Sequence, residues 1–240
     1  MTVNLEVCVD TIDGVLAAKA GGAARVELCA ALSEGGLTPS PGMMRAAAKL
    51  QIPCYAMIRP RSGLFFFSEA EIEVMVGDVD AARRAGLAGV VLGVQEPRGG
   101  LNLDALARLR EAARGMGTTL HRVIDVVPDP LAAVDQAAGL GFDRVLTSGA
   151  APQAPEGLAM IRAMQVKANG RLSVMPGCGL TPGNLAEVER QTGTREVHAA
   201  CAVPVPDAET FSDFDPPSGR MKTDENQVRE MVAVLRRETH

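Results

Sequence analysis

Charged and imidazole side chains alternate with apolar ones along several short β-branched segments of this 240-residue chain. In the segment 5–9, Leu5, Val7 and Val9 form an apolar face and leave Glu6 and Cys8 on the opposite one. Carboxylates, guanidinium groups and histidines on a shared face can bind a polar ligand and exchange protons with it. The residues predicted to do this chemistry are Glu6, Arg25, Glu27, Arg59, His121 and His198.

The carboxylates are the natural candidates for proton transfer. Two carboxylates that share a site of low dielectric with one histidine should have pKa values that are pushed apart. One of them would then act as an acid or a base near neutral pH, and the sequence does not decide between Glu6 and Glu27. The competing hypothesis is a structural ion network, since each buried charge needs a partner.

Two cysteines suggest a site for a soft metal. Cys8 and Cys29 end the first two β-branched segments, and neighbouring strands lie about 4.8 Å apart, so the two thiols could share one ion. Thiolates prefer Cu(I) or Zn(II). The alternative is that each cysteine is a small buried apolar side chain. Further ligands in the same region would be Cys178, Cys201, His198 and Met175.

The segment MPGCGLTPGN (175–184) suggests an anion site. Gly177 and Gly179 precede a predicted helix start at Thr181-Pro182, and free N–H groups at a helix N-terminus bind anions. Ser148, which ends the sixth β-branched segment beside Thr147, would donate a further N–H group. A plain tight turn is the alternative for both segments.

These residues would be positioned by eight consecutive strand–helix units. Such alternation predicts a parallel sheet, and eight units in one chain are typical of a (β/α)₈ barrel. An open, doubly wound sheet is disfavoured because no GxGxxG sequence follows a strand. Strands are predicted at 5–9, 25–29, 54–59, 89–93, 118–123, 143–148, 171–176 and 196–200, and helices at 11–21, 41–50, 69–85, 102–114, 130–139, 156–168, 182–191 and 224–237.

The fold class is therefore α/β, with residues 1–240 in a single-domain TIM barrel. Six residues lie near the last residue of their predicted strands, where barrel active sites are built, and this position favours a functional site over a structural network. They are Cys8, Cys29, Arg59, His121, Thr147 and His198. The segment 201–222 is predicted to be an irregular, mobile loop that closes over the mouth as a lid. Helix starts are expected at Ser68, Asp129, Thr181 and Thr223, and helix ends at Gly21, Gly86 and Gly141.

Composition narrows the classes of partner. The net charge of −5 and the 3% of aromatic residues argue against nucleic acid as a partner. We expect no membrane span, because no apolar run approaches about 20 residues. The five cysteines lack CxxC spacing, which indicates free thiols in a reducing compartment. With no secretory signal at the N-terminus, a cytoplasmic location is expected.

Eight segments of this sequence together form a specific set of motifs. They are LEVCVD (5–10), GGAARVELCAALSEGGLTPS (21–40), MIRPRSG (57–63), FSEAEIEVM (67–75), HRVIDVVPDPLAA (121–133), GFDRVLTSG (141–149), MPGCGLTPGN (175–184) and EVHA (196–199). In this order they resemble the CutC family, which is usually associated with copper homeostasis. The resemblance runs from about residue 5 to 199 and departs from the family pattern at Cys178, at Ala200 and in GLFFFS (63–68).

The resemblance implies a cytoplasmic, homo-oligomeric (β/α)₈ barrel in which Cys8 and Cys29 match the family's proposed copper ligands. It also implies a polar barrel mouth, at positions matching Glu6, Arg25, Glu27, Arg59, His121, Arg122 and His198.

Two functions are therefore expected. The first is binding of Cu(I) through thiols at the barrel mouth, as part of copper homeostasis. The second is an enzyme that performs acid–base chemistry on a small polar or anionic substrate and has no physiological role with copper. Whether the protein is an enzyme is left open by the sequence.

Overall fold

The structure is a computed structural model that describes residues 3–206 and 219–237. Eight parallel strands form one sheet, with the spatial order β7-β6-β5-β4-β3-β2-β1-β8. Their bounds are β1 Asn4–Val9, β2 Arg25–Leu28, β3 Cys54–Met57, β4 Gly89–Leu92, β5 Gly117–Leu120, β6 Arg144–Thr147, β7 Ser173–Pro176 and β8 Glu196–Ala199.

A helix follows each strand of this sheet and packs on its outer side, as predicted. Short 3-10 turns precede or follow several of them, including the turn Arg122–Asp125 after β5. The helices are α1 Ile12–Gly21, α2 Pro41–Ala47, α3 Glu69–Ala85, α4 Leu103–Ala112, α5 Pro130–Gly139, α6 Leu158–Ala168, α7 Leu185–Thr192 and α8 Glu225–Arg237.

The sheet curls into a nearly closed barrel. Strand β1 pairs with both β2 and β8, and a single parallel bridge between Gly177 and His198 joins the end of β7 to β8. In this register Glu6 lies opposite both Arg25 and His198. The predicted single-domain (β/α)₈ fold is confirmed.

The apolar core lies between the strands and the helices. Val7, Val9, Val26 and Leu28 are completely buried there, and this leaves the alternate side chains of β1 and β2 inside the barrel. The alternation of apolar and polar residues in β1 and β2 therefore predicts correctly which side chains face the helices and which face the barrel interior.

Helix ends agree with the predictions at some positions and differ at others. Ser68 forms a capping box with Glu71, and Asp129 caps α5. The helix start predicted at Thr181 is wrong, since α7 begins at Leu185. The helix end predicted at Gly21 is one residue too early, because Gly21 is still the last residue of α1. Gly22 ends that helix in the left-handed conformation, with φ of 92°.

The segment 201–222 is not irregular throughout. Residues Ala202–Pro204 form β9, which pairs antiparallel with β10 at Met221–Thr223. The expectation of an irregular loop is wrong at these two ends, because the two stretches satisfy each other's backbone groups. Residues 207–218, on which the lid prediction chiefly rests, lie outside the described residues.

Within residues 3–206 and 219–237, none of the helices combines the length and the apolar character that a membrane span requires.

Candidate functional site

A buried ion network occupies the barrel level nearest the amino ends of the strands. The Arg25 guanidinium group donates to both Glu6 and Glu196, with Nη1 2.9 Å from Glu196 Oε1. Arg144 Nε approaches the same Glu196 carboxylate at 3.3 Å. Both guanidinium groups stack on the Tyr55 ring, at 5.1 and 4.9 Å from its centroid. These residues are paired with one another, which agrees with the structural hypothesis for this level.

Two glycines make room for the Tyr55 ring. A Cβ atom on Gly117 would lie 2.0 Å from Tyr55 Oη, and one on Gly89 would lie 2.3 Å from the ring. Gly89 begins β4, which is the neighbour of β3, and Gly117 begins β5, the strand after it. Because neither glycine has a side chain, the ring can lie across the barrel against the two arginines. The sequence alone does not predict that these glycines contact Tyr55, because the contact depends on how the strands are aligned in the barrel.

His198 connects the network to the upper level of the barrel. Its Nδ1 lies 2.8 Å from Glu6 Oε1, and its Nε2 lies 3.8 Å from Glu27 Oε2. Burial opposes the charge of the imidazole, yet the neighbouring Glu27, Cys8 and Glu6 raise its pKa well above the usual value. His198 is therefore a proton-carrying group between two carboxylates.

The two candidate carboxylates lie in different environments. Burial would raise the pKa of Glu6, but the hydrogen bond from His198 and the charge of Arg25 overcome it and lower that pKa to about 2. Burial raises the pKa of Glu27, and the attraction of His198 offsets only part of this effect. Glu27 Oε1 is also buried without a hydrogen-bond partner among the described residues. The structure thus favours Glu27 over Glu6 as the group that exchanges a proton.

His121 follows β5 and is held in one tautomer. Its Nδ1 accepts a hydrogen bond from the Val123 N–H at 3.1 Å, which places the ring proton on Nε2. Burial and the nearby Arg59 lower the pKa of His121 to about 3, so the ring is neutral at physiological pH. Its Nε2 is buried and finds no acceptor in the described part of the chain. Gly93 leaves space for this ring, since a Cβ atom there would lie 2.4 Å from it.

Arg59 follows β3 and orders the surrounding loops. Its Nη1 donates to the carbonyls of Glu34 and Gly36 at 2.8 and 3.2 Å, and its Nη2 donates to Gly63 O at 3.0 Å. The guanidinium group also stacks on Phe65, 5.1 Å from the ring centroid. Its Nε is buried and has no acceptor within the described residues.

A cavity of about 570 Å³ opens at the carboxyl ends of the strands, where barrel enzymes bind their substrates. Five members of the predicted acid–base set and the predicted thiol pair line this cavity, whereas Glu6 and Arg25 lie one level deeper in the barrel. The five are Cys8, Glu27, Arg59, His121 and His198.

The thiols are divided between two environments. Cys8, Cys178 and Cys201 line the cavity. Cys29 is completely buried next to Met57, and its Sγ lies 3.6 Å from Glu27 Oε2. Burial, followed by the charge of Glu27, raises the pKa of Cys29 well above its usual value. Because the thiolate is the form that binds a metal, this environment disfavours Cys29 as a ligand.

Among the described residues, one group of side chains lies close enough together to hold a metal ion, and it is at the mouth. Ligand atoms of Cys8, Glu27 and His198 all lie within 4.8 Å of one another, and Cys29 is not a member of this group. The trio contains one sulfur, one nitrogen and one oxygen ligand rather than the predicted pair of thiols.

Some backbone groups of the predicted anion loop are bound within the protein. The Gly177 N–H donates to Thr147 O, and the Thr181 N–H donates to the Asn184 side chain, which delays the start of α7. Gly179 lines the cavity, and its carbonyl accepts from Asn184. The expectation of a helix N-terminus immediately after the glycines is therefore wrong.

Ser148 belongs to a separate polar cluster around Asp125. Its N–H donates to Asp125 Oδ2 at 2.9 Å. The prediction that this N–H group is free to bind an anion is therefore wrong. Arg122 binds the same carboxylate at 2.9 Å and Ser148 Oγ at 2.7 Å. The Thr147 hydroxyl group also donates to Asp125.

Three residues of the interior and the mouth are not among those predicted from the sequence. Strand β6 turns Arg144 and Leu146 inward, and the alternation in DRVLTS (143–148) carried that signal. Phe65 lies between Arg59 and His121, with its centroid 4.6 Å from that of the His121 ring. It belongs to a loop for which the periodicity of strands and helices gives no prediction.

Known proteins are similar to this chain in sequence and in fold. The sequence model of the CutC family matches residues 3–203. A family protein CutC of Caulobacter vibrioides is 48% identical over 239 residues, which cover 98% of this chain and 97% of that protein. A second, from Sinorhizobium medicae, is 48% identical over 234 residues, which cover 96% of this chain and 95% of that protein.

A solved structure gives the same result. The crystal structure of a CutC protein from Streptococcus agalactiae, described as a candidate copper homeostasis protein, is 30% identical, with a TM-score of 0.79. The match covers 82% of this chain and 98% of that one. From its sequence, its barrel and these relatives, the chain belongs to the CutC family.

Proposed function

We propose that the protein is an enzyme that binds a small molecule with an anionic group at the barrel mouth and performs acid–base chemistry on it. The observation that carries this proposal is the set of buried polar atoms around the cavity that lack partners among the described residues: Arg59 Nε, His121 Nε2 and Glu27 Oε1. Each such atom costs about 1–3 kcal/mol if it remains unpaired, so a ligand that pairs with them is strongly favoured.

The chemistry of these atoms indicates the class of ligand. Arg59 and neutral His121 each offer an N–H group, which suits the oxygen atoms of a carboxylate or phosphate group. The Phe65 ring separates the two donors and provides an apolar surface beside them. Glu27, whose pKa is raised, is the group proposed to exchange a proton with the ligand.

Binding of inorganic phosphate and of small dicarboxylates, measured by calorimetry, tests this proposal. Arg59→Met should lower the affinity of the best anion at least about tenfold, because a charge-assisted hydrogen bond contributes on the order of 1.5–3 kcal/mol. Arg110→Met is a matched control, because Arg110 also stacks on an aromatic ring and binds backbone carbonyls, but it lies outside the cavity. Equal affinities in wild type and Arg59→Met would refute the proposal.

A second candidate function is supported by the thiols at the mouth and by the family's association with copper. In this function the protein binds Cu(I) as cargo through Cys8 and Cys29. Cys8 fits this role, since it lines the cavity, whereas buried Cys29 fits it poorly. Copper binding to the reduced protein should then be lost in both Cys8→Ser and Cys29→Ser and kept in Glu27→Gln.

The proposal also includes a cytoplasmic location and a homo-oligomeric assembly. All five cysteines are free, which suits a reducing compartment. Leu64 and Val74 are 65% and 53% exposed, and an interface between copies would cover apolar side chains of this kind. Light scattering of the purified protein measures the number of copies, and a monomer at all concentrations would contradict the oligomer.

A further inference from the structure

We propose that Cys8, Glu27 and His198 form a binding site for a borderline divalent metal ion, with Zn²⁺ as the best example. The site is distinct from a pair of thiols, because it takes one ligand from each of the three neighbouring strands β8, β1 and β2. Binding of the ion does not depend on the proposed function, whereas the role of the ion does. With the ion bound, Glu27 would hold the metal in place of exchanging a proton.

The spacing of the three ligand atoms suits one ion. They lie within 4.8 Å of one another, and His198 Nε2 is 3.8 Å from Glu27 Oε2. Tetrahedral bonds of about 2.0–2.3 Å place ligand atoms roughly 3.3–3.8 Å apart, so small side-chain rotations complete the geometry. The parallel register of the strands fixes the three backbone positions, with Cys8 opposite Glu27.

The chemistry of the trio selects the ion. One thiolate, one imidazole and one carboxylate are the ligand types that Zn²⁺ accepts together, whereas Cu(I) prefers sulfur ligands. The thiolate and the carboxylate carry two negative charges, which balance a divalent ion when His198 is neutral. A monovalent ion would leave one buried negative charge without compensation.

Buried neighbours orient the histidine for this role. Glu6 Oε1 lies 2.8 Å from His198 Nδ1, which directs Nε2 toward Cys8 and Glu27. A carboxylate that accepts from the outer nitrogen of a histidine is the usual support of a zinc ligand. Arg25 balances the charge of Glu6 below the site. Glu6 is therefore a positioning residue for the metal ligand.

The site also has an open side. All three ligands line the cavity, so a fourth position would face the space in which the anionic ligand is proposed to bind. Zinc sites with three protein ligands and an open fourth position are typical of enzymes, whereas structural zinc sites are closed by four protein ligands. Glu27 Oε1, without a partner among the described residues, is an independent sign that this carboxylate serves a ligand.

Competition with a chromogenic chelator under reducing conditions tests the proposal, with Zn²⁺ alone as the probe. Cys8→Ser, His198→Gln and Glu27→Gln should each weaken Zn²⁺ binding at least tenfold, and Glu6→Gln should weaken it about 10–100-fold. Cys178→Ser, which removes another thiol of the same cavity, is the matched control and should bind as the wild type does. With Co²⁺ as the probe, the wild type should show a sulfur-to-cobalt absorption band that Cys8→Ser lacks.

The results separate this proposal from the others. Loss of Zn²⁺ binding in Cys29→Ser, together with normal binding in Glu27→Gln, would replace the trio by a thiol pair. Wild-type protein that binds Zn²⁺ no better than the Cys8→Ser, His198→Gln double variant would overturn the site. Arg59→Met should keep Zn²⁺ affinity, so a failure of the anion proposal is seen separately. Circular dichroism of each variant identifies any that does not fold.

Discussion

Glu6 and Glu27 show how strongly local partners determine the chemistry of a residue. Both are buried carboxylates on the inner face of neighbouring strands, and the sequence alternation predicts that shared face. Arg25 and His198 keep Glu6 ionised, whereas Glu27 retains an oxygen with no partner among the described residues and has a raised pKa. The choice between them could not be made from the sequence, because it depends on which strands meet around the barrel.

His121 makes stability depend on pH. The pKa of His121 is about 3 in the folded protein and about 6.5 in the unfolded chain, so the unfolded chain binds more protons between these values. This contribution to stability is complete above about pH 6.5 and is lost as the pH falls toward 3. At pH 5 the loss should be about 2 kcal/mol.

Denaturant unfolding of the wild type and of His121→Asn, at pH 7 and at pH 5, measures this contribution. Asn has no titratable group, and its side-chain oxygen takes the place of Nδ1, which accepts from the Val123 N–H. The variant should therefore lose less stability than the wild type over this interval. An equal loss in both proteins would contradict a neutral, buried His121.

At the scale of elements, the periodicity of the sequence predicts all eight barrel strands and their helices. It succeeds because each strand buries one face against a helix, and this requirement acts within a few residues of the chain. The prediction fails where distant contacts decide the structure. The β9–β10 pair joins segments that are far apart in sequence, and Asn184 delays the start of α7 by binding the preceding loop.

The packing of α1 on α8 gives a prediction at this scale. A Cβ atom on Gly21 would lie 2.5 Å from Val228 Cβ and 2.9 Å from Glu225 O, so Gly21→Ala must push the two helices apart. Gly21→Ala should lower the free energy of unfolding by about 1–3 kcal/mol. Gly77 of α3 has no neighbour within 4 Å of the same atom, so Gly77→Ala should increase it by up to about 1 kcal/mol.

Urea denaturation measures both changes. If Gly21→Ala is as stable as the wild type, or if both variants change stability by the same amount, the close contact between α1 and α8 is not present in solution.

At the scale of the whole molecule, the barrel contains two levels of polar side chains that differ in how far they are paired. Its deeper level is an ion network in which Arg25 and Arg144 pair with Glu6 and Glu196, and its mouth keeps polar groups that the described residues do not satisfy. The sequence predicts the residue types at the mouth and the family of the chain. It does not show which of these groups are already paired, because pairing is set by the register and by loops such as the one that carries Phe65.

Native mass spectrometry of the protein, purified without added metal, tests most directly whether the mouth is a ligand site. The account predicts a bound small molecule, a bound divalent ion or both on the wild type. The small molecule should be absent from Arg59→Met, and the ion should be absent from Cys8→Ser. Wild-type protein with the bare mass of the chain, and with no gain in mass after incubation with phosphate, dicarboxylates or Zn²⁺, would contradict the account.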